Sequence, residues 1–142
     1  KEATTIDGTM YAAARDVTPK VMYINTKMFE DAGVKIPEDT WTIDDFLEAA
    51  QQLTKGSGAD KQWGYYWANY ADQTYALIAA FGGNMYSEDG TTSVFSTDPK
   101  TQEAMKFMYD LYNTYKVCPS GVEAKQFGDK FFYCNVGTVV EV

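Results

Sequence analysis

Histidine is absent from this 142-residue chain, and arginine occurs once, at Arg15. The missing imidazole removes Ser-His and Cys-His nucleophile pairs, histidine metal ligands and the commonest general base. With 20 acids against 12 bases, a net charge of −8 and no cluster of Lys and Arg, the chain has little with which to grip phosphate. Nucleic acid and anionic membrane surfaces are therefore not expected partners. There are only two cysteines, Cys118 and Cys134, without metal-like spacing. We read them as free thiols, because two unrelated cysteines seldom meet disulfide geometry; pairing in an oxidising compartment is the alternative. No apolar run is long enough to cross a bilayer, and no N-terminal signal pattern is present. The acids between Asn84 and Ser96 do not follow the alternating ligands of a calcium loop. No metal or other cofactor is expected.

What is present fits one α/β domain over residues 1–142, with helices alternating with short strands and a sheet covered on both faces. Lys1 opens directly onto ordinary sequence and Gly137 to Val142 read as an unfinished strand, so we expect a piece of a longer chain. Asp7-Gly8 reads as a turn into a strand at Thr9 to Tyr11, and Lys20 to Asn25 as a short apolar strand. Thr26 is expected to cap a helix that Gly33 stops. Thr42 and Asp45 form a capping box, with Trp41 before it placed to staple onto Phe46. Ile43, Phe46, Leu47, Ala50 and Leu53 then recur at helical spacing, and the paired Asp44 and Asp45 suit the helix dipole. Lys55 to Gly58 is a surface turn, and Asp89-Gly90 marks a hairpin. Thr97 or Asp98 caps a long helix with Pro99 in its first turn. Its buried stripe is Ala104, Phe107, Met108, Leu111, Tyr112 and Tyr115. Lys116 to Lys125 reads as a loop, and FFYCNV after Phe127 as a strand.

The most unusual stretch is WGYYWANYADQTYALIAAFGG, Trp63 to Gly83. Trp63, Tyr65 and Trp67 alternate with Gly64, Tyr66 and Ala68, the period-2 pattern of a strand with unlike faces. Asn69, Tyr70 and Ala71 read as a turn, Asp72 as the cap of a helix from Gln73 to Phe81, and Gly82-Gly83 as its stop. Core is the ordinary fate of such rings. The alternative is a polar ligand with flat apolar faces, met by rings at a strand end and a polar loop. The segment Ala12 to Pro19 carries the same choice between an exposed loop with an Arg15–Asp16 pair and a ligand loop using Asp16 and Thr18.

Taken in order, DGTMYAAARDVTPKVMYINTKMFEDAGV, TWTIDDFLEAAQQLT, WGYYW, AAFGG and FSTDPKTQEAMKFMYDLY resemble the bacterial extracellular solute-binding proteins of ABC importers. This is the carbohydrate-binding family that includes the maltodextrin-binding proteins. No single motif is specific; the ordered set, spanning nearly the whole chain, is. The family's next segment is met only loosely, by Phe127, Lys130 and Gly137, with Asp129 where a glycine is usual. The resemblance implies a type II periplasmic-binding-protein lobe, a mixed sheet flanked by helices, as part of the C-terminal lobe of a two-lobe protein. It implies a sugar or oligosaccharide in the cleft between lobes, delivery to a membrane permease, an extracytoplasmic location as a periplasmic or membrane-anchored lipoprotein, and a monomeric intact protein. Matched to the family's contact loops, the ligand residues are Asp16, Thr18, Trp67, Asn69, Tyr70 and Asp72. Trp67 or Tyr70 would stack on a sugar ring, while Asp16, Asn69 and Asp72 would bond its hydroxyls. With the opposing wall missing, this segment alone is expected to bind sugar negligibly. The runner-up is a glycoside-active enzyme using Asp16 and Asp72 as paired carboxylates, which needs no histidine. A polyol or a peptide is a further possible solute.

Overall fold

The computed structural model describes residues 4–13, 15–16, 19–38, 40–67, 70–127 and 138–141. The chain opens with a hairpin of β1 (Thr5–Ile6) and β2 (Thr9–Met10). Asp7 and Gly8 both take positive φ, 48° and 78°, the pairing that matches a two-residue turn to strand twist. β3 (Val21–Ile24) follows and pairs antiparallel with β4 (Thr138–Glu141), Val21 opposite Glu141 and Ile24 opposite Thr138. The α/β class holds, while both pairings among the described residues are antiparallel and two-stranded. The expected cover on both faces is not met at β3, whose Val21, Met22 and Tyr23 are exposed.

Helix α1 (Thr26–Ala32) is capped by Asn25, not Thr26: the Asn25 side chain accepts from the Met28 amide at 3.3 Å. Asparagine is the better cap, and its place before Thr26 shifts the helix start by one residue. Gly33, at φ 66°, ends α1 as expected. In α2 (Ile43–Leu53) the capping box is complete. The Asp45 amide donates to Thr42 Oγ1 at 3.2 Å and the Thr42 amide to Asp45 Oδ2 at 2.9 Å. Trp41 meets Phe46 edge-on, with centroids 5.8 Å apart. α2 serves two cores at once. Ala49 and Leu53 close over Met28 and Phe29 of α1. Phe46 and Ala50 face the larger cluster of Tyr65, Trp67, Leu77, Ile78, Ala104, Leu111, Val117 and Cys118.

α3 (Ala71–Ala80) and α4 (Pro99–Asn113) pack on each other in that cluster. α4 begins as anticipated, with Asp98 accepting from the Thr101 amide at 2.6 Å and Pro99 at the first helical position. Between α3 and α4 the Asp89-Gly90 turn brings Tyr86 and Ser93 into an antiparallel bridge. Residues 121–125 are helical rather than a loop, within α5 (Gly121–Phe127). Its start is a second capping box: the Ser120 amide donates to Glu123 Oε2 at 2.8 Å, and the Glu123 amide to Ser120 Oγ at 3.3 Å. The anticipated FFYCNV strand and Cys134 lie outside the described residues.

Candidate functional site

The aromatic stretch enters the fold as an extended segment rather than a ladder strand. Lys55 and Gln62 form an isolated antiparallel bridge, and the Tyr65 amide donates to the Val117 carbonyl at 3.1 Å. Trp63, Tyr65 and Trp67 are all buried, and Tyr65 and Trp67 share one core cluster. Trp67 is only 6% exposed and sits edge-on to Tyr65 at 6.1 Å. It lines an apolar cavity of about 470 Å³ shared with Met22, Trp41, Phe46, Leu77 and Phe107. Its indole N–H has no hydrogen-bond partner among the described residues. Burial likewise pushes the Tyr65 hydroxyl and the Cys118 thiol far above their ordinary ranges.

The chain reaches its surface again at Tyr70, which is 62% exposed. Tyr70 is the N-cap of α3 and offers no side-chain cap, so α3 begins two residues earlier than anticipated and Asp72 lies inside its first turn. Asp72 still does electrostatic work there, because a carboxylate in the first turn meets the positive end of the helix. The Lys20 ammonium donates to its Oδ2. That bond is the largest cause holding the Asp72 carboxyl below its ordinary range. Tyr75, on the same helix, is exposed.

Asp16 lies in the segment between β2 and β3 with an exposed side chain, bonded by the neighbouring Arg15 Nε at 2.7 Å. The Lys20–Asp72 pair ties the residue just after the Ala12 to Pro19 segment to the aromatic stretch, since Lys20 follows Pro19 and Asp72 lies within Trp63 to Gly83. Thr18 and Asn69 lie outside the described residues. Lys20 was not among the residues the sequence pointed to. Its signal is faint: a single cation after Pro19 in an acidic chain, with a partner 52 residues away.

Chemically, the start of α3 offers an open ring at Tyr70 and an acceptor at Asp72, and the segment before β3 offers a second acceptor at Asp16. Hydroxyl donors and the C–H face of a sugar ring are complementary to such a set. A glycosidase general acid needs a carboxyl held above its ordinary range, the reverse of Asp72. Among the described residues no group of His, Cys, Asp and Glu side chains is disposed to hold a metal ion.

A family model described as bacterial extracellular solute-binding protein matches residues 2–126. An arabinooligosaccharide-binding protein of Halalkalibacterium halodurans is 24% identical over 138 residues, 96% of this chain and 30% of that protein. An ABC substrate-binding protein from Listeria monocytogenes, solved in complex with cycloalternan, superposes with a TM-score of 0.82 and 26% identity. The match covers 98% of this chain and 36% of that one. The maltose-bound MalE3 of T. maritima has a TM-score of 0.66 at 22% identity, over 99% of this chain and 36% of its own. This chain spans about a third of the length of these relatives.

Proposed function

This chain belongs to the bacterial extracellular solute-binding proteins, with the fold of a type II periplasmic-binding-protein lobe, and we propose that it is part of the C-terminal lobe of a sugar receptor. In this reading a sugar or oligosaccharide lies between the two lobes of the intact protein, outside the cytoplasm. Closure of the lobes about a hinge then forms the surface that an ABC importer's permease recognises. The chain acts by binding and carries out no chemistry on its ligand. The intact receptor is a monomer.

One observation carries the reading: the exposed ring of Tyr70 stands at the head of α3 beside the ionised carboxylate of Asp72. Pyranose and furanose rings combine an apolar face with hydroxyls that donate to carboxylates. The oligosaccharide ligands named for the relatives from Halalkalibacterium halodurans and Listeria monocytogenes support this class for the present chain. Asp16, Thr18 and Asn69 are the further polar contacts of this proposal. Trp67, buried in the core cluster with Tyr65 and Leu77, does not stack on the ligand in this reading.

Titration with arabinooligosaccharides, cycloalternan and maltose, followed by tryptophan fluorescence, tests the reading. The intact receptor is expected to bind at least one of them, and residues 1–142 alone to bind none appreciably, having one wall of the cleft. Micromolar binding by residues 1–142 alone would overturn the two-wall account. No binding by the intact receptor to any of the three would overturn the sugar assignment.

A further inference from the structure

We infer that Lys20 is a positioning residue of this cleft, holding the Asp72 carboxylate in the orientation in which it accepts a ligand hydroxyl. The inference rests on the sugar-receptor reading above. Among the described residues the other ion pairs join side chains at most four positions apart, as in Lys27–Asp31, Lys35–Glu38 and Lys106–Asp110. Lys20–Asp72 alone spans 52 positions and crosses from the start of β3 to the start of α3. A lysine ammonium is strongly hydrated and is seldom withdrawn from water without a partner. The Lys20 side chain is 24% exposed, against 45% for Asp72. Part of the Asp72 side chain therefore stays open to solvent while the ammonium holds it.

The anchoring is rigid at both ends. Pro19 restricts the backbone immediately before Lys20, and β3 begins immediately after it. Asp72 is held in the first turn of α3. An ionised carboxylate has about four acceptor sites, so the bond from Lys20 leaves capacity for a ligand hydroxyl. Lys20 is the charged side chain that acts on this carboxyl among the described residues. Its removal would free the carboxylate to rotate and let water compete for it. The pair also joins the two ligand-facing segments, so the cost of ordering them is met before the ligand arrives.

The test is calorimetric titration of the intact receptor with whichever of arabinooligosaccharides, cycloalternan or maltose it binds, with a thermal midpoint for every variant. K20M is expected to weaken binding roughly tenfold, and K20R to restore it to within about threefold of the parent. The loss should vanish in the D72N background, where K20M/D72N binds no worse than D72N. K20Q, which keeps a polar head, supplies the same comparison if K20M does not fold. Parental affinity in both K20M and K20Q would overturn the inference and leave the pair as a tie between two elements. A loss that persists in the D72N background would also overturn it, since Lys20 would then act on the ligand directly. If the unmodified receptor binds none of the three sugars, the sugar reading falls and takes this inference with it. Binding by the parent with unaltered K20M and K20Q removes this inference alone.

Discussion

Gly64 lies directly against the backbone of Ala50 in α2, so closely that a Cβ on Gly64 would stand 1.8 Å from the Ala50 carbonyl oxygen. One hydroxyl ties the two together: Thr54 Oγ1 donates to the Ala50 carbonyl at 2.7 Å and accepts from the Gly64 amide at 3.0 Å. The glycine between Trp63 and Tyr65 is what lets the aromatic segment lie on α2 with its rings flanking the helix. Gly64→Ala is expected to destabilise the fold by about 3 kcal/mol or more, because backbone atoms cannot step aside as a side chain does. The urea midpoint of the variant against the parent is the measurement, and a change below about 1 kcal/mol would contradict the contact.

Trp67 and Tyr70 stand three positions apart and have opposite environments, one buried and the other exposed. Trp67→Ala empties a site shared with Tyr65 and should cost about 3–5 kcal/mol of stability. Tyr70→Ala should leave the thermal midpoint within about 2 °C of the parent while weakening sugar binding at least several-fold. Paired melting and titration of the two variants separate core from cleft. A Tyr70→Ala protein that binds like the parent would remove the ring from the proposed site.

Helix ends were readable in part, because the cap is a local device, although the caps expected at Thr26 and Asp72 fall instead at Asn25 and Tyr70. Thr42 with Asp45, Asp98 with Pro99, and Gly33 each act through neighbours within a few positions, and all three behave as the sequence predicts. Ser120 with Glu123 has the same spacing and was legible by the same rule, yet the surrounding Pro119 and Gly121 made the stretch read as loop. Trp63, Tyr65 and Trp67 alternate in sequence and all three are buried, but periodicity assigns residues to faces without saying which face meets water. That depended on α2 and α4, whose Phe46 and Leu111 pack into the same cluster as Tyr65 and Trp67. Lys20 with Asp72 was the least readable contact of all. Neither residue has a local signature for the other, and only the arrangement of β3 and α3 brings them together.

Acid should loosen this fold within a narrow window. Asp45, bonded by the Thr42 hydroxyl, and Asp72, paired with Lys20, are held below the ordinary aspartate value of 3.8. So are Asp89, bonded by Ser87, Asp98, bonded by the Thr101 amide, and Asp110, bonded by Lys106 and Thr114. A carboxyl whose value is lower in the folded chain than in the unfolded one stabilises the fold fully above the unfolded value. That contribution disappears as pH falls through the folded value. The thermal midpoint should therefore change little between about pH 7 and 5 and drop below about pH 4. Asp98→Asn keeps a capping side chain but cannot titrate, so its midpoint should fall less steeply through the same range. An unchanged slope in this variant would show that the Asp98 bond to the Thr101 amide does not govern acid stability.

Thr101 is fully buried in α4, and its hydroxyl donates to the Asn84 carbonyl at 2.8 Å. The adjoining Gly83 leaves no room for adjustment, since a Cβ there would lie 2.7 Å from both the amide nitrogen and the hydroxyl of Thr101. This contact fixes the exit of α3 against the start of α4, because Asn84 follows the two glycines that end α3. Thr101→Val preserves the shape and deletes the donor, leaving the Asn84 carbonyl without that bond in a site a bulkier group cannot enter. The expected cost is about 1–3 kcal/mol, the penalty of a buried acceptor left unsatisfied, with the Thr101→Ser variant closer to the parent because it keeps the hydroxyl. Urea denaturation of both variants decides the matter. A larger loss with serine, which alone removes the methyl group, would assign the effect to packing, and a larger loss with valine would assign it to the hydrogen bond.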